Sequence, residues 1–251
     1  MGSDVRVGDE KHQKKLEELR RRMAAIPGRG QSEVGRIPRE TELRRESLPV
    51  PSALAELLPE DGLAKGSVVA YTGARSLLAG LLAAVTEHGG HAAVVGMPRF
   101  GLLAAAEMGA ELARLAVVAD PGPDPVEVAA VLLDGLDLVV LGLGGTSVAP
   151  SRSRVIAARA RSHGATLVVA DGHWPNPSLR ISARVCGYAG LGAGHGRLRS
   201  IGLDVDIRAK SGPSRRGRID LCPNGGRVEW VTRSVAAGAG EAPVAARGAA
   251  S

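Results

Sequence analysis

The chain has 251 residues, a formal net charge of +6 and 44% hydrophobic residues, which is enough to bury one substantial core. Only 2% of the residues are aromatic, so Val, Leu, Ile and Ala have to build that core, as in parallel strands covered by Ala-rich helices. No basic-then-apolar leader and no run of about eighteen apolar residues is found, so we expect neither secretion nor a membrane span.

Residues 1–47 are polar and are predicted to form a separate N-terminal segment. Residues 11–23 predict a short helix with a thin apolar stripe, formed by Leu16, Leu19 and Met23. A linker follows this helix. Two interpretations stay open for the segment: a disordered arm, or a helix that becomes ordered on a partner protein.

From residue 48 onwards, short apolar strands alternate with helices. Strands are predicted at residues 66–73, 92–96, 115–118, 136–141 and 166–170. Helices are predicted at residues 76–87, 100–108, 124–133 and 151–162. This alternation predicts an α/β fold with a mostly parallel, twisted sheet flanked by helices.

After Asp171 the pattern changes. Residues 181–185 and 203–208 alternate with period two, which predicts half-exposed antiparallel strands. Residues 218–221 and 227–231, joined by Pro-Asn-Gly-Gly, predict a closing hairpin. The predicted domain therefore covers residues 48–233, and residues 234–251, rich in small side chains, are predicted to be a flexible tail.

The two cysteines, Cys186 and Cys222, lie far apart in a sequence that offers no Cys-x-x-Cys motif. Neither a disulfide framework nor a metal site is predicted, and a reducing cytoplasm fits best. The six histidines have no cysteine or carboxylate at ligand spacing, so we expect them in surface loops.

The order of the elements resembles the RecA core, and Leu-Ala-Lys-Gly-Ser-Val-Val at residues 63–69 resembles the segment that precedes the RecA phosphate loop. Such a loop needs several backbone amides around the phosphates, a lysine and a magnesium-binding hydroxyl. Here the stretch is shorter by about four residues, with only Gly73, Arg75 and Ser76 in comparable places. It is interpreted either as a structural turn or as a helix N-terminus that attracts an anion.

Two further positions depart from the RecA pattern. Gly-Met-Pro at residues 96–98 stands where RecA-like ATPases hold an activating carboxylate. The strand at residues 138–141 ends in Gly142 where a magnesium-binding aspartate is expected, and Asp137 lies at the wrong end of that strand. The backbone amides around the phosphates, the activating carboxylate and the magnesium-binding aspartate are all absent from their expected positions. We therefore predict a protein without ATPase activity and without a cofactor.

Asp-Gly-His-Trp at residues 171–174 is the most enzyme-like cluster, because it follows a predicted strand at the edge where open α/β sheets place their sites. The competing interpretation is a turn with a packed tryptophan. No nucleophile or second carboxylate accompanies the cluster, so the turn is favoured.

A RecA-like core with a degenerate nucleotide site resembles the ImuA-prime proteins of actinobacteria over residues 48–231. The resemblance implies an accessory protein of the SOS-induced mutasome, which supports error-prone translesion DNA synthesis in the cytoplasm and on the nucleoid. It implies two partners: an ImuB-type relative of Y-family polymerases, itself inactive, and an error-prone DnaE-type polymerase. Trp230 and Val231 on an edge strand are candidate anchors for a partner, and Trp230 is equally compatible with the core.

Charge is distributed unevenly along the chain. Residues 48–150 contain four basic and eleven acidic side chains, whereas residues 151–233 contain fifteen and five. Three interpretations of such a basic surface stay open: it binds phosphate groups, it binds an acidic protein, or it only keeps the domain hydrated. The candidate DNA-binding residues cluster in and beside a Gly-Pro loop: Arg208, Lys210, Arg215, Arg216 and Arg218.

Two alternatives to the adaptor therefore stay open. One is a DNA-binding RecA paralogue that regulates recombination filaments. The other is a RecA-like inhibitor of cell division.

Overall fold

The computed structural model describes residues 46–191 and 196–233. The predicted N-terminal helix with Leu16, Leu19 and Met23, and the predicted tail at residues 234–251, lie outside the described residues. No helix within these two ranges combines the length and the apolar character that crossing a membrane requires.

The described elements follow one another in a regular order. The strands are β1 (Ser47–Leu48), β2 (Leu63–Ala64), β3 (Val68–Gly73), β4 (Ala92–Val95), β5 (Leu115–Val118), β6 (Leu138–Gly142), β7 (Thr166–Ala170), β8 (Leu179–Leu191), β9 (Gly196–Ala209), β10 (Arg215–Asn224) and β11 (Arg227–Arg233). The helices are α1 (Ser52–Ala55), α2 (Arg75–Glu87), α3 (Leu102–Glu107), α4 (Pro125–Leu132) and α5 (Pro150–His163), with a 3-10 turn at Leu112–Arg114.

Nine strands form one sheet in the order β11-β10-β9-β8-β3-β7-β6-β4-β5. The six neighbouring strands β8, β3, β7, β6, β4 and β5 run parallel to one another. Strands β9, β10 and β11 each run antiparallel to their neighbour. The predicted α/β class, a large and mostly parallel sheet with antiparallel C-terminal strands, is confirmed.

Two apolar clusters cover opposite faces of the sheet. On one face, helix α2 and residues around Leu54 and Leu58 pack on β3, β8, β9 and β10. On the other face, α4, α5 and Trp174 pack on β4, β6 and β7. The helices change face because right-handed crossovers run first outward from β3 to β4 and then back to β7.

The antiparallel half differs from its prediction in two respects. Strand β8 pairs in parallel with β3 and is antiparallel only to β9. Strands β8 and β9 are also far longer than the period-two segments, which covered only residues 181–185 and 203–208. The predicted hairpin is confirmed: β10 and β11 are joined by Gly225 and Gly226, both with positive φ, as a two-residue turn of the primed type requires.

Candidate functional site

The carboxyl ends of β3, β6 and β7 form the edge at which open α/β sheets bind ligands. Strand β3 lies between β7 and β8, and the crossover direction reverses between β3 and β7. Ligands of such sheets occupy the crevice outside this reversal point. The residues that follow these three strands are therefore the first candidates for a functional site.

The turn from β3 to α2 contains a single residue, Ala74. Its amide donates to the carbonyl oxygen of Ala183 on β8 at 2.8 Å, and its own carbonyl accepts from the Leu77 amide at 3.1 Å and from the Tyr71 hydroxyl. Gly73 has a φ of +112°, and a Cβ there would overlap the Ala183 carbonyl oxygen. The short turn is thus held against β8, and its amides do not surround a space for phosphate.

Arg75, the first residue of α2, reaches across the reversal point. Its guanidinium lies 3.2 Å from the Asp171 carboxylate after β7 and 3.4 Å from the Arg99 carbonyl oxygen. A cation at a helix N-terminus is unfavourable, and the aspartate compensates for it. Ser76 follows in the first turn and is half-buried. Burial, and secondly the charge of Asp171, raise the pKa of Tyr71, so its hydroxyl stays a donor to Ala74.

The position expected for a magnesium-binding acid is filled by neighbouring atoms. A Cβ on Gly142 at the end of β6 would lie 2.6 Å from Cγ of Met97 and 2.8 Å from the Gly96 carbonyl oxygen. Gly96 itself has a φ of +70°, and its own Cβ would meet the Gly142 carbonyl oxygen at 2.7 Å. Met97 is 2% exposed. The pair Gly142 and Met97 therefore excludes a carboxylate from the usual place.

The loops after β6 and β7 are bonded to each other. The Leu143 amide donates to the Ala170 carbonyl at 2.9 Å, and the His173 amide donates to Thr146 at 3.0 Å. Trp174 is 1% exposed and packs in the core with α5. The enzyme-like cluster at residues 171–174 is thus a turn with a packed tryptophan, which the sequence interpretation favoured. Within residues 46–191 and 196–233, no three His, Cys, Asp or Glu side chains are close enough together to hold a metal ion.

The partner-binding candidates on β11 separate by face. Trp230 is half-buried and packs against the main core, where its indole fills the space that a Cβ on Gly80 of α2 would need. Val231 points to the other face and is 46% exposed. Strand β11 ends the sheet, and no other described strand pairs with its outer edge.

The five candidate DNA-binding residues lie on two neighbouring strands and in the loop that joins them, and they divide between the two faces of the sheet. Arg208 lies on β9, Arg215, Arg216 and Arg218 lie on β10, and only Lys210 lies in the loop. Arg215 faces the core side, where it donates to the Leu58 carbonyl oxygen at 2.8 Å. Strand β10 begins at Arg215, three residues before the predicted strand, and includes Gly217, where a Cβ would meet the Leu57 side chain at 2.8 Å.

Arg208 and Arg216 share one carboxylate. Their guanidinium groups lie 3.0 and 2.6 Å from the two oxygens of Asp206, and these hydrogen bonds, first from Arg208, hold the pKa of Asp206 below its usual value. Sequence reasoning missed Arg180, which pairs in register with Arg208 across β8 and β9. The sequence offered one signal for it: Arg180 lies two residues before Ser182 and so continues the period-two alternation of residues 181–185 by one residue.

Comparison with known proteins gives two matches. Residues 56–176 match the family described as MT3502 N-terminal domain. The uncharacterized protein Rv3395c of Mycobacterium tuberculosis (strain ATCC 25618 / H37Rv) is 52% identical over 169 residues, which cover 64% of this chain and 83% of that protein. The family match includes the positions of the carboxyl edge from Gly73 to Trp174, whereas Ala183 on β8 lies beyond it.

Proposed function

We propose that this chain, which belongs to the family of the uncharacterized protein Rv3395c, is a non-catalytic RecA-like adaptor of an SOS-induced mutasome. In this role, which the resemblance to ImuA-prime proteins implies, it binds an ImuB-type relative of Y-family polymerases. A DnaE-type polymerase then carries out error-prone translesion synthesis in the same assembly. The protein contributes a rigid body and binding surfaces.

The observation that carries the non-catalytic half of this proposal is the filled carboxyl edge. An ATPase needs an amide cradle, a magnesium-binding carboxylate and an activating base around one crevice. Here the amide of Ala74 donates to the carbonyl oxygen of Ala183 and is not available to a phosphate. Arg75 is paired with Asp171, and Met97 fills the space beside Gly142. Restoring a nucleotide site would require movement of backbone in three loops.

The binding half of the proposal rests on the end of the sheet at β11. An edge strand can accept a strand of a partner, with backbone hydrogen bonds for affinity and side chains for specificity. Val231 offers an exposed apolar contact on that strand. On the core-facing side of the same strand, Trp230 packs against Gly80 of α2 and so fixes the strand to the body of the domain.

The first experiment tests nucleotide binding. Isothermal titration of the full chain with Mg-ATP and Mg-ADP is expected to show no heat of binding. Micromolar affinity for either nucleotide, lost in Arg75→Ala, would overturn the non-catalytic reading. A RecA-type ATPase titrated in the same buffer is the positive control.

The second experiment tests the partner. The full chain is co-purified with an ImuB-type protein of the same bacterium, and Val231→Asp is compared with Val155→Asp on the exposed side of α5, where Val155 is 66% exposed. We expect the complex to be lost or weakened at least tenfold with Val231→Asp only. Full-length protein that forms no complex with any ImuB-type partner would contradict the adaptor function.

Truncations then locate any contribution from the ends. Chains that lack residues 1–45 or 234–251 keep all strands of the described body. A cut at residue 210 would instead remove β10, whose Ile219 and Leu221 belong to the core, and would report on folding rather than binding.

A further inference from the structure

One face of the antiparallel half of the sheet has no helix on it among the described residues. Helix α2 and residues near Leu58 cover the core side of β8, β9 and β10, through Ile181, Leu203 and Ile219. The apolar cluster on the opposite side ends at β3 and includes no residue of β8 to β11. Side chains that alternate to this opposite side are largely polar and exposed.

Six arginines project from this uncovered side, which we call the arginine face. They are Arg180, Arg184, Arg208, Arg216, Arg218 and Arg233. Four acidic residues share the face: Asp204, Asp206, Asp220 and Glu229. The charge balance is therefore positive, in a chain whose residues 48–150 are acidic overall.

Two of the four acidic side chains lie deeper in the face than most of the arginines. The side chains of Asp206 and Asp220 are only 23% and 12% exposed, because they sit at the floor of the sheet under longer arginines. The side chain of Arg184 is 81% exposed and that of Arg216 is 72% exposed. Asp206 and Asp220 therefore hold arginines in place from below, whereas Asp204, with a side chain 46% exposed, and Glu229 lie at the surface beside the guanidinium groups.

Two pairs of arginines stand directly opposite each other. Arg180 is in register with Arg208 across β8 and β9, and Arg218 is in register with Arg233 across β10 and β11. Like charges in directly opposed positions destabilise a sheet. Beside the first pair is a cavity of about 270 Å³, which Thr72, Ser182 and Asp206 also line. The Asp206 carboxylate accepts from Arg208 and Arg216, so its charge is compensated within the face. The guanidinium groups of Arg180 and Arg208 and the two hydroxyl-bearing residues are of the kind that bind phosphate oxygens.

From these observations we propose that the arginine face binds the phosphate backbone of duplex DNA, with one phosphate in the cavity between Arg180 and Arg208. This inference goes beyond the adaptor function and does not depend on it. Arginines suit phosphates because their guanidinium groups donate two parallel hydrogen bonds. The contacts are to the backbone, so they carry no base sequence information.

The composition of the face favours duplex DNA over other occupants. Protein–protein interfaces concentrate aromatic anchors at their centre, and no aromatic side chain is in register with the arginines of this face. Its exposed apolar residue Val231, the candidate partner contact, lies on β11 at the end of the sheet and not at the centre of the face. Single strands are bound largely by stacking on aromatics, which the face does not offer. Protein–DNA interfaces are polar and positively charged, as this face is.

The chain's own ends do not complement the face in charge. Residues 1–45 contain twelve basic and eight acidic side chains, and residues 234–251 contain one of each. Neither segment has the net negative charge that would favour its binding to the arginine face. A polyanion from outside the chain fits better.

The test uses the full chain, a short fluorescein-labelled DNA duplex and fluorescence anisotropy between about 50 and 200 mM salt. The double variant Arg180→Gln/Arg208→Gln removes the opposed pair. The matched control Arg154→Gln/Arg161→Gln removes two exposed charges from α5. Melting temperatures of all three proteins accompany the binding curves.

We expect the wild-type chain to bind the duplex and to lose affinity steeply with salt. The face variant should bind at least tenfold more weakly at low salt, and the slope of log K against log salt should become shallower by about 1, because the two arginines hold one phosphate. The control should bind as the wild type does. The face variant should melt close to the wild-type temperature, because it relieves a like-charge contact but also removes the exposed Arg208–Asp206 ion pair.

Several results would overturn the proposal. These are a wild type that does not bind duplex at low salt, a face variant that binds unchanged, and a control that loses as much affinity. Equal binding of poly-glutamate, lost in the same variant, would assign the face to an acidic protein. A concentration-dependent dimer that the face variant abolishes would assign it to the acidic half of a second copy.

Discussion

Replacing Gly142 with aspartate would restore the acid of a magnesium site in the sequence, and we expect it to damage the protein instead. The new Cβ would lie 2.6 Å from Cγ of Met97 and 2.8 Å from the Gly96 carbonyl oxygen. Overpacking costs about 1–3 kcal/mol, and a buried carboxyl group without donors costs about 1–3 kcal/mol more. The free energy of unfolding should therefore fall by about 2–6 kcal/mol, which lowers Tm by roughly 4–24 °C in a domain of this size.

The assay is urea and thermal unfolding of Gly142→Asp beside Gly135→Asp. Gly135 is the matched control, since no atom lies within 4 Å of a Cβ built there. Gly142→Ala should cost only the overpacking, about 1–3 kcal/mol. Adding Met97→Ala to Gly142→Asp should recover part of the loss. If Gly142→Asp is as stable as Gly135→Asp, or gains affinity for Mg-ATP, the reasoning about a filled edge is refuted.

Three further predictions concern single contacts. Gly80→Ala should destabilise the domain by about 1–3 kcal/mol through overlap with the Trp230 indole, and Gly80→Ala/Trp230→Leu should recover much of that loss in a double-mutant cycle of urea unfolding. Tyr71→Phe should cost about 0.5–1.5 kcal/mol at neutral pH. Because the folded-state pKa of Tyr71 is raised, its stabilisation is complete below the unfolded pKa of about 10 and is lost as pH rises above it, so the loss of Tm at alkaline pH should be smaller in Tyr71→Phe than in the wild type. Asp171 has a φ of +53°, so Asp171→Gly should melt at a higher temperature than Asp171→Ala, and the reverse order would contradict the conformational argument.

The parallel half of the fold could be predicted because each strand there is buried on both faces. Strands such as β6 and β7 are continuous apolar runs, and the helices between them are marked by turn residues or proline at their starts. The parallel pairing of β8 with β3 could not be predicted, because β8 alternates with period two like an antiparallel strand. It alternates because only one of its faces is covered.

For the candidate site, the sequence could predict only which residues of a RecA-type nucleotide site are missing. The absence of an acid at Gly142 is visible in sequence, but the reason is the position of Met97, which comes from another loop. The pair Arg75 and Asp171 joins residues 96 positions apart, and no local pattern indicates it. The arginine face was missed for the same reason, since its register joins strands that the sequence analysis took as short fragments.

The filled carboxyl edge has a consequence for how such a protein is controlled. A RecA-type ATPase changes its affinity for partners when nucleotide binds and leaves, because the nucleotide favours one conformation over another. A ligand shifts a conformational equilibrium only by its difference in affinity between the two states. If the protein is the non-catalytic adaptor proposed above, the edge filled by Ala183, Asp171 and Met97 offers a nucleotide no such difference. The occupancy of its complexes would then be set by the number of copies in the cell, so synthesis and degradation would take the part that hydrolysis has in RecA-type ATPases.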